Sequence, residues 1–333
     1  MTYQQGGLIQ VSDFNNLVGT STSSTAEQLN SILAIGNGRG GLGQSAINQI
    51  PLQTISNITK VTPTDWNNLR TAILNLGNHQ GSTVTSMPTA EQYAVITASM
   101  TPAPNPVSIF SSNLTTLWAN RNNVAAQGSS SAVTTTRSAT WYQAVTFTNT
   151  ITFSSGNAAR YFFNAGGQIA LTFTHPTGSN INDLWNKLAI AAGTLVISGT
   201  NSGTQTIAGT VYNGVTKVGG SGSATISQNS GYYSLTGTTT QIFNQVATVG
   251  PTGYLTSFLR VSIKSNGAQG SNGDAGSIIT ITTVWDTDPN GVSTTRNTAA
   301  AGTAVTCTIR PPSTSYVTNT WGTVDVTGSQ TGT

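Results

Sequence analysis

Charge is what this chain most lacks. Of its 333 residues only 6% are Asp, Glu, Lys or Arg, against roughly 25% in an average soluble protein. Glutamate occurs twice, as Glu27 and Glu91, and histidine twice, as His79 and His175. So small a stock of titratable groups leaves little material for general acid–base work, and the reading is of a chain that is not an enzyme. Basic residues are scattered singly from Arg39 to Arg310 for a formal net charge of +3. No cluster among them matches a run of phosphates, which argues against nucleic acid as a partner. A single cysteine, Cys307, excludes an intrachain disulfide. In "AVTCTIR" it shares a strand face with Val305 and Ile309, the pattern of a small buried residue. No stretch approaches the ~20 apolar residues of a membrane helix. The opening "MTYQQGGLIQVSDF" has neither the basic start nor the apolar segment of a secretion signal. Neither a membrane span nor a leader is expected.

What remains is Ser, Thr, Asn, Gln and Gly, a neutral hydrogen-bonding skin. It lacks the charge repulsion that keeps soluble chains apart and suits a protein packed against other chains.

Helical signals concentrate in residues 1–90, read as a helical repeat that anchors the chain. "SDFNNLVG" begins with Ser12 and Asp13 and spaces Phe14, Leu17 and Val18 for one helix face. "SSTAEQLNSILAIG" places Leu29, Ile32, Leu33 and Ile35 together and stops at Gly36. "TPTDWNNLRTAILNLG" has a threonine cap, Pro63 near its start, then Trp66, Leu69, Ile73 and Leu76, with Gly77 as its stop. The first and third units match in type from Ser12–Leu17 to Thr64–Leu69. A weaker copy, "NDLWNKLAIAAG", carries Trp185. The shared design is a cap, an aromatic that docks the helix and a leucine one turn on. Phe14, Leu17, Trp66, Leu69 and Trp185 are therefore the candidate docking and assembly residues.

Residues 91–137 read as a connector, extended through "SMTPAPNPVS" because its prolines oppose helix, with a short helix expected within "NLTTLWANRNNVAAQ". From 138 to 333 the pattern changes to period 2, beginning with "SATWYQAVTFTNTITF". Further strands are expected at 168–174, 194–199, 204–211, 232–236, 240–248, 255–264, 277–285, 303–310 and 321–327, separated by glycine-rich breaks. The fold class is α+β, mainly β: a helical region, then an antiparallel β-sandwich with a helix inserted near 181–191.

Motifs that suggest chemistry weaken in context. "GNGRGG" (36–41) fits a dinucleotide fingerprint but follows a helix, and no phosphate-binding lysine comes after it, so no cofactor is implied. "DTDPNG" resembles the start of a calcium loop with Asp286, Asp288, Asn290 and Gly291, but Asn297 stands where the bidentate glutamate belongs. A turn after a strand is the favoured reading, with a weak cation near Asp286 and Asp288 as the other. Asp286 and Asp288 share a strand face with no further acid nearby in sequence. His79, in "GNHQG" after a helix, and His175, in "THPTG" after a strand, have no metal ligand at suitable spacing. The aromatics of "GYYSLTG" (231–237) and Trp321 are candidates for stacking on sugar, with core packing the stronger reading.

"RYFFNAGGQIALTF" (160–173) sets three aromatics and a basic residue before a glycine pair. The glycines Gly166 and Gly167 admit a bend or bulge between strands. If the stretch is extended, Phe162 and Phe163 point to opposite sheet faces and Arg160 bonds carbonyls at the bend. The reading is a structural joint.

Three segments carry a resemblance: "WYQAVTFTNTITFSSGNAARYFFNAGGQIALTF" (141–173), "GNHQG" after "TDWNNL", and the ending "RPPSTSYVTNTWGTVDV" (310–326). They are similar to virion structural proteins of tailed bacteriophages, in which an Arg-aromatic-Phe-Asn-Ala-Gly-Gly run follows a Thr-rich strand pair and a Pro-Ser-Thr…Trp-Gly segment closes the domain. The likeness spans most of the chain. It implies a virion component of tail-fibre, baseplate or neck-collar type, with other virion proteins as partners and a trimer or symmetric ring of copies. It carries over no catalytic residue. A receptor-binding module for host-surface glycan is the alternative.

Overall fold

Strict alternation along the strands decides the architecture. In the computed structural model, which describes residues 11–19, 28–32, 61–90, 106–178, 180–199, 204–228, 230–248, 254–267, 276–287 and 298–332, β3 (Ala144–Thr152) buries Val145, Phe147, Asn149 and Ile151 and turns its threonines outward. Period 2 puts every second side chain on one face. The same rule operates in β12 (Ile278–Asp286), which buries Ile279, Ile281 and Trp285, and in β13 (Ala304–Arg310), which buries Val305, Cys307 and Ile309. Burial pushes the Cys307 thiol up to about 12, so it packs as a small apolar residue.

Two antiparallel sheets result. The first has the order β14-β3-β12-β11-β10-β9, adding β9 (Ala224–Ile226), β10 (Thr240–Val246), β11 (Phe258–Ser265) and β14 (Asp325–Gly332). The second has the order β2-β13-β4-β5-β8, with β2 (Ser131–Thr136), β4 (Gln168–Thr174), β5 (Thr194–Ile197) and β8 (Val215–Val218). Their apolar faces meet in one core, where Phe173 of β4 stacks on Phe243 of β10 at 6.3 Å. The sheets also meet along their margins. Arg137, just after β2, donates to Gln330 Oε1 at 3.0 Å and to the Gly332 carbonyl at 3.2 Å on β14. On the opposite margin the Val215 N–H at β8 reaches the Gln228 carbonyl beyond β9 at 3.1 Å. Neither margin is left as a long free edge. A third, small sheet joins β1 (Asn123–Val124), β6 (Gln205–Ile207) and β7 (Thr210–Tyr212), with β1 parallel to β6.

The helices follow their local signals. Helix α1 (Val11–Val18) ends at Gly19, whose φ is +73°. Helix α2 (Leu29–Ile32) shows only the first turn of its expected unit; Leu33, Ile35 and Gly36 lie outside the described residues. Helix α3 (Pro63–Gln80) opens with a capping box: the Asp65 N–H donates to Thr62 Oγ1 at 3.3 Å, and the Thr62 N–H donates to Asp65 Oδ2 at 2.7 Å. It does not stop at Gly77. That glycine stays helical because Val84 packs against it, and the helix closes at Gly81, with φ +72°. Helix α4 (Pro106–Ala119) begins inside the stretch read as extended, because proline fits a first helical turn. It packs on α3, and β2 belongs to the five-stranded sheet, so both 106–119 and 131–136 are built into the fold rather than linking its parts. Helix α6 (Ile181–Ala192) sits where the insertion was expected, against β4, β10 and β11.

Three further expectations fail locally. The stretch at 232–236 is a 3₁₀ turn (Tyr232–Ser234) rather than a strand. The single strand expected at 204–211 is the hairpin β6–β7. The run after Ser155 is helix α5 (Gly156–Asn164), so the extended geometry that would oppose Phe162 and Phe163 is not formed.

Candidate functional site: the joint from Arg160 to Gly167

Helix α5 carries the chain from the six-stranded sheet to the five-stranded sheet. Ser155 caps it, its Oγ accepting from the Ala158 N–H at 3.0 Å, and every residue from Ala158 to Asn164 is buried. A helix buried all round belongs inside the structure. Helical spacing also changes what Phe162 and Phe163 do. Instead of facing opposite sides of a sheet, they meet edge to face at 5.1 Å, and both lie against Phe153. Phe163 then stacks on Tyr232 at 4.5 Å with planes 18° apart.

The glycine pair ends this helix, and each glycine has its own reason. The Gly166 N–H bonds the Phe163 carbonyl at 3.2 Å and the Gly167 N–H bonds the Phe162 carbonyl at 2.8 Å. Those are the two bonds of a Schellman cap, which places a left-handed residue after the helix; Gly166 has φ +97°. Gly167 is small for a different cause: a β-carbon there would stand 2.5 Å from the Phe162 ring. The expected bend is therefore present as a helix-to-strand cap rather than a bulge between strands.

Polar bonds tie the surroundings to this cap. Gln127 Nε2 donates to the Gly166 carbonyl at 3.3 Å and to Gln168 Oε1 at 3.0 Å. Gln205 Nε2 donates to the Phe163 carbonyl at 3.3 Å, and the Tyr233 hydroxyl donates to Asn164 Oδ1. Val124 of β1 lies on Gly166, where a β-carbon would meet it at 2.8 Å. From the helical region comes His79, in the last turn of α3 rather than in a turn beyond it. Its ring bonds the Ala165 backbone, while its carbonyl accepts from the Ala125 N–H at 2.8 Å. Burial holds the imidazole down at about 4, from an ordinary 6.5, only partly offset by that bond. Helix α3, the small sheet and both large sheets thus converge on eight residues.

Arg160 does not bond carbonyls at the bend. Its Nη2 donates to Asn157 Oδ1 at 3.3 Å and its guanidinium lies 4.5 Å from the Tyr161 ring centre. The side chain is buried, and its Nε and Nη1 have no acceptor among the described residues.

The docking residues are brought together in part. Phe14 and Trp66, which hold the same position in the two related units, meet edge to face at 5.4 Å, and Trp66 meets Phe110 of α4 at 5.5 Å. Leu17 and Leu69 are buried beside them. Trp185 lies apart, between Trp141 (5.0 Å) and Trp285 (5.8 Å). All five side chains are at most 5% exposed. They dock elements of this chain to one another and present nothing to a second molecule.

Near Trp185 the second histidine is fully engaged. Asn182 Oδ1 accepts the Ala300 N–H at 2.8 Å, so it also accepts from His175 Nε2 at 3.1 Å, which carries the ring proton. Nδ1 of the neutral ring then accepts from the Thr303 hydroxyl at 2.8 Å, whose Oγ1 in turn accepts from Trp141 Nε1 at 2.8 Å. Burial lowers the His175 pKa. No carboxylate takes part, so the ring is held neutral as a fastener.

Other candidates resolve simply. Tyr232, Tyr233 and Trp321 are buried, so core packing accounts for them and they offer no face to a sugar. Asp286 ends β12; Asp288, Asn290, Gly291 and Asn297 lie outside the described residues, as does the 36–41 glycine run. Among the described residues no three His, Cys, Asp or Glu side chains gather where they could hold a metal ion, and no helix is long and apolar enough to cross a membrane. Comparison with known protein families, curated proteins and solved structures finds no match to this chain.

Proposed function

We propose that this chain is a non-enzymatic structural component of a tailed-phage virion, a tail, fibre, baseplate or neck part that acts by assembling with other virion proteins. One observation carries the reading. Within one of the three segments that carry the phage resemblance, Arg160–Gly167 is the piece through which the helical region, the small sheet and both large sheets are locked together. What is characteristic of the sequence is thus a device for holding shape. The two imidazoles support the same view: one bonds a backbone group and the other a threonine and an asparagine, with no acid bonded to either among the described residues. A chain with only 6% charged residues favours close packing over free diffusion.

Mass spectrometry of purified particles from the phage that encodes the chain tests this directly. Its peptides are expected in particles at a fixed ratio to other structural proteins. Peptides confined to the soluble lysate would contradict the proposal.

A further inference from the structure

The six-stranded sheet has a second face. Thr146, Thr148, Thr150 and Thr152 alternate with the core residues of β3 and point away from the core, half-buried. Register carries their hydroxyls sideways. Thr148 stands between Ser329 of β14 and Thr282 of β12, and Thr150 between Thr327 and Thr280. Next comes β11, with Ser262 opposite Thr282 and Lys264 opposite Thr280. Strands about 4.8 Å apart with a two-residue repeat of about 6.8 Å make this a two-dimensional grid of hydroxyls and methyls. The helices pack elsewhere: α6 presents Leu184, Trp185 and Leu188 to the core side, and α3 reaches β1.

Charge lies at the margins of the grid, basic on the β11 side and acidic on the β14 side, with Asp286 at the end of β12. Lys264 and Arg260 lie on β11, while Asp325 opens β14 opposite Thr152. Lys264 and Asp325 are exposed, and among the described residues the ion pair formed is elsewhere, between Lys187 and Asp183.

We propose that this face is the contact between two copies of the chain, related by a two-fold axis running along the strands between β3 and β12. The inference rests on the assembly reading above and names the surface that assembles. Such an axis lays β14 of one copy over β11 of the other, and β3 over β12. It brings Asp325 toward Lys264 twice, one grid row apart, within reach of a lysine side chain. A face of four strands by four residue pairs covers roughly 500 Å² on each copy, so the pair buries about 1,000 Å², the lower bound of a specific interface. A neutral centre offers no like-charge repulsion to its own image. Sugar is the poorer occupant, because β3, β12 and β14 hold no aromatic ring on this face, and the one on β11, Phe258, is buried with the Arg260 guanidinium 4.1 Å from its ring centre. A ring built through this face consists of pairs, so copy number is even and a simple trimer is excluded.

Light scattering of the full-length chain across a dilution series reads the association. A dimer, or a larger assembly of even number, is expected. Thr148→Arg puts a guanidinium in the middle of the grid and is expected to weaken association at least tenfold. Ser329→Arg, in the same row but on the exposed edge strand, is expected to do likewise without touching a central strand. Asp325→Lys alone weakens association, and Asp325→Lys combined with Lys264→Asp restores it. A monomer or trimer, or arginine variants with unchanged mass, overturns the proposal; failure of the double exchange to restore association overturns the two-fold arrangement. Each of these outcomes leaves the presence of the chain in particles untouched, so the two readings fail separately.

Discussion

Replacing Phe163 with alanine is expected to lower the stability of the chain by about 3–5 kcal/mol, the usual cost of emptying a large aromatic site in a core. The ring is fully buried and touches three others, Phe153, Phe162 and Tyr232. Its removal leaves a cavity at the point where the sheets exchange the chain, walled by a helix whose cap bonds cannot shift independently. Guanidinium titration of the variant against the parent measures the effect. A loss below about 1 kcal/mol would mean that this cluster is not the tight packing described, since even a partly collapsed site costs more.

Acid is expected to weaken the fold well before the carboxylates titrate. Above about pH 6.5 the His79 ring is neutral in folded and unfolded chain alike, and its contribution is fully present. Below that the unfolded chain binds a proton that the folded chain refuses until about pH 4, so stability falls as pH falls through this window. The loss is about 2 kcal/mol between pH 7 and pH 5, and about 3 kcal/mol over the whole window. His175 is shifted in the same direction and adds to it. Unfolding free energies measured between pH 7 and pH 5 should fall for the parent chain and fall less steeply for His79→Asn. A flat parent profile, or identical slopes, would contradict the buried neutral imidazole at the joint.

Legibility of the sequence tracked how local each cause is. The cap of α3 was readable because Thr62, Pro63 and Asp65 act within one turn. Strands β3 and β12 were readable because burial of one face writes a period of 2 into four or five consecutive pairs. The end of α3 was not, because Gly77 is explained by Val84 folding back on it rather than by its neighbours. Helix α5 is hard to see in the sequence although its signals are local: Ser155 as cap, and an Ala-Gly-Gly end that suits a Schellman motif. Its run of adjacent aromatics carried the β-propensity that masked them. Strands β8 and β9 are three or four residues long among glycines, too short to show a period. Recognising Phe14 and Trp66 as one position in a repeated unit did not reveal that the two rings touch. Nor does any sequence signal bring His79 to Ala165, eighty-six positions away; that contact is a product of the fold.

Imaging of the intact phage particle at side-chain resolution bears most directly on whether this protein works by holding a shape. The account predicts density for the two sheets and α5, repeated with the symmetry of the particle and fixed to neighbouring proteins, with the threonine face of β3 covered by a second copy. Particles that lack this density, or copies whose sheets make no contact with any other subunit, would contradict it.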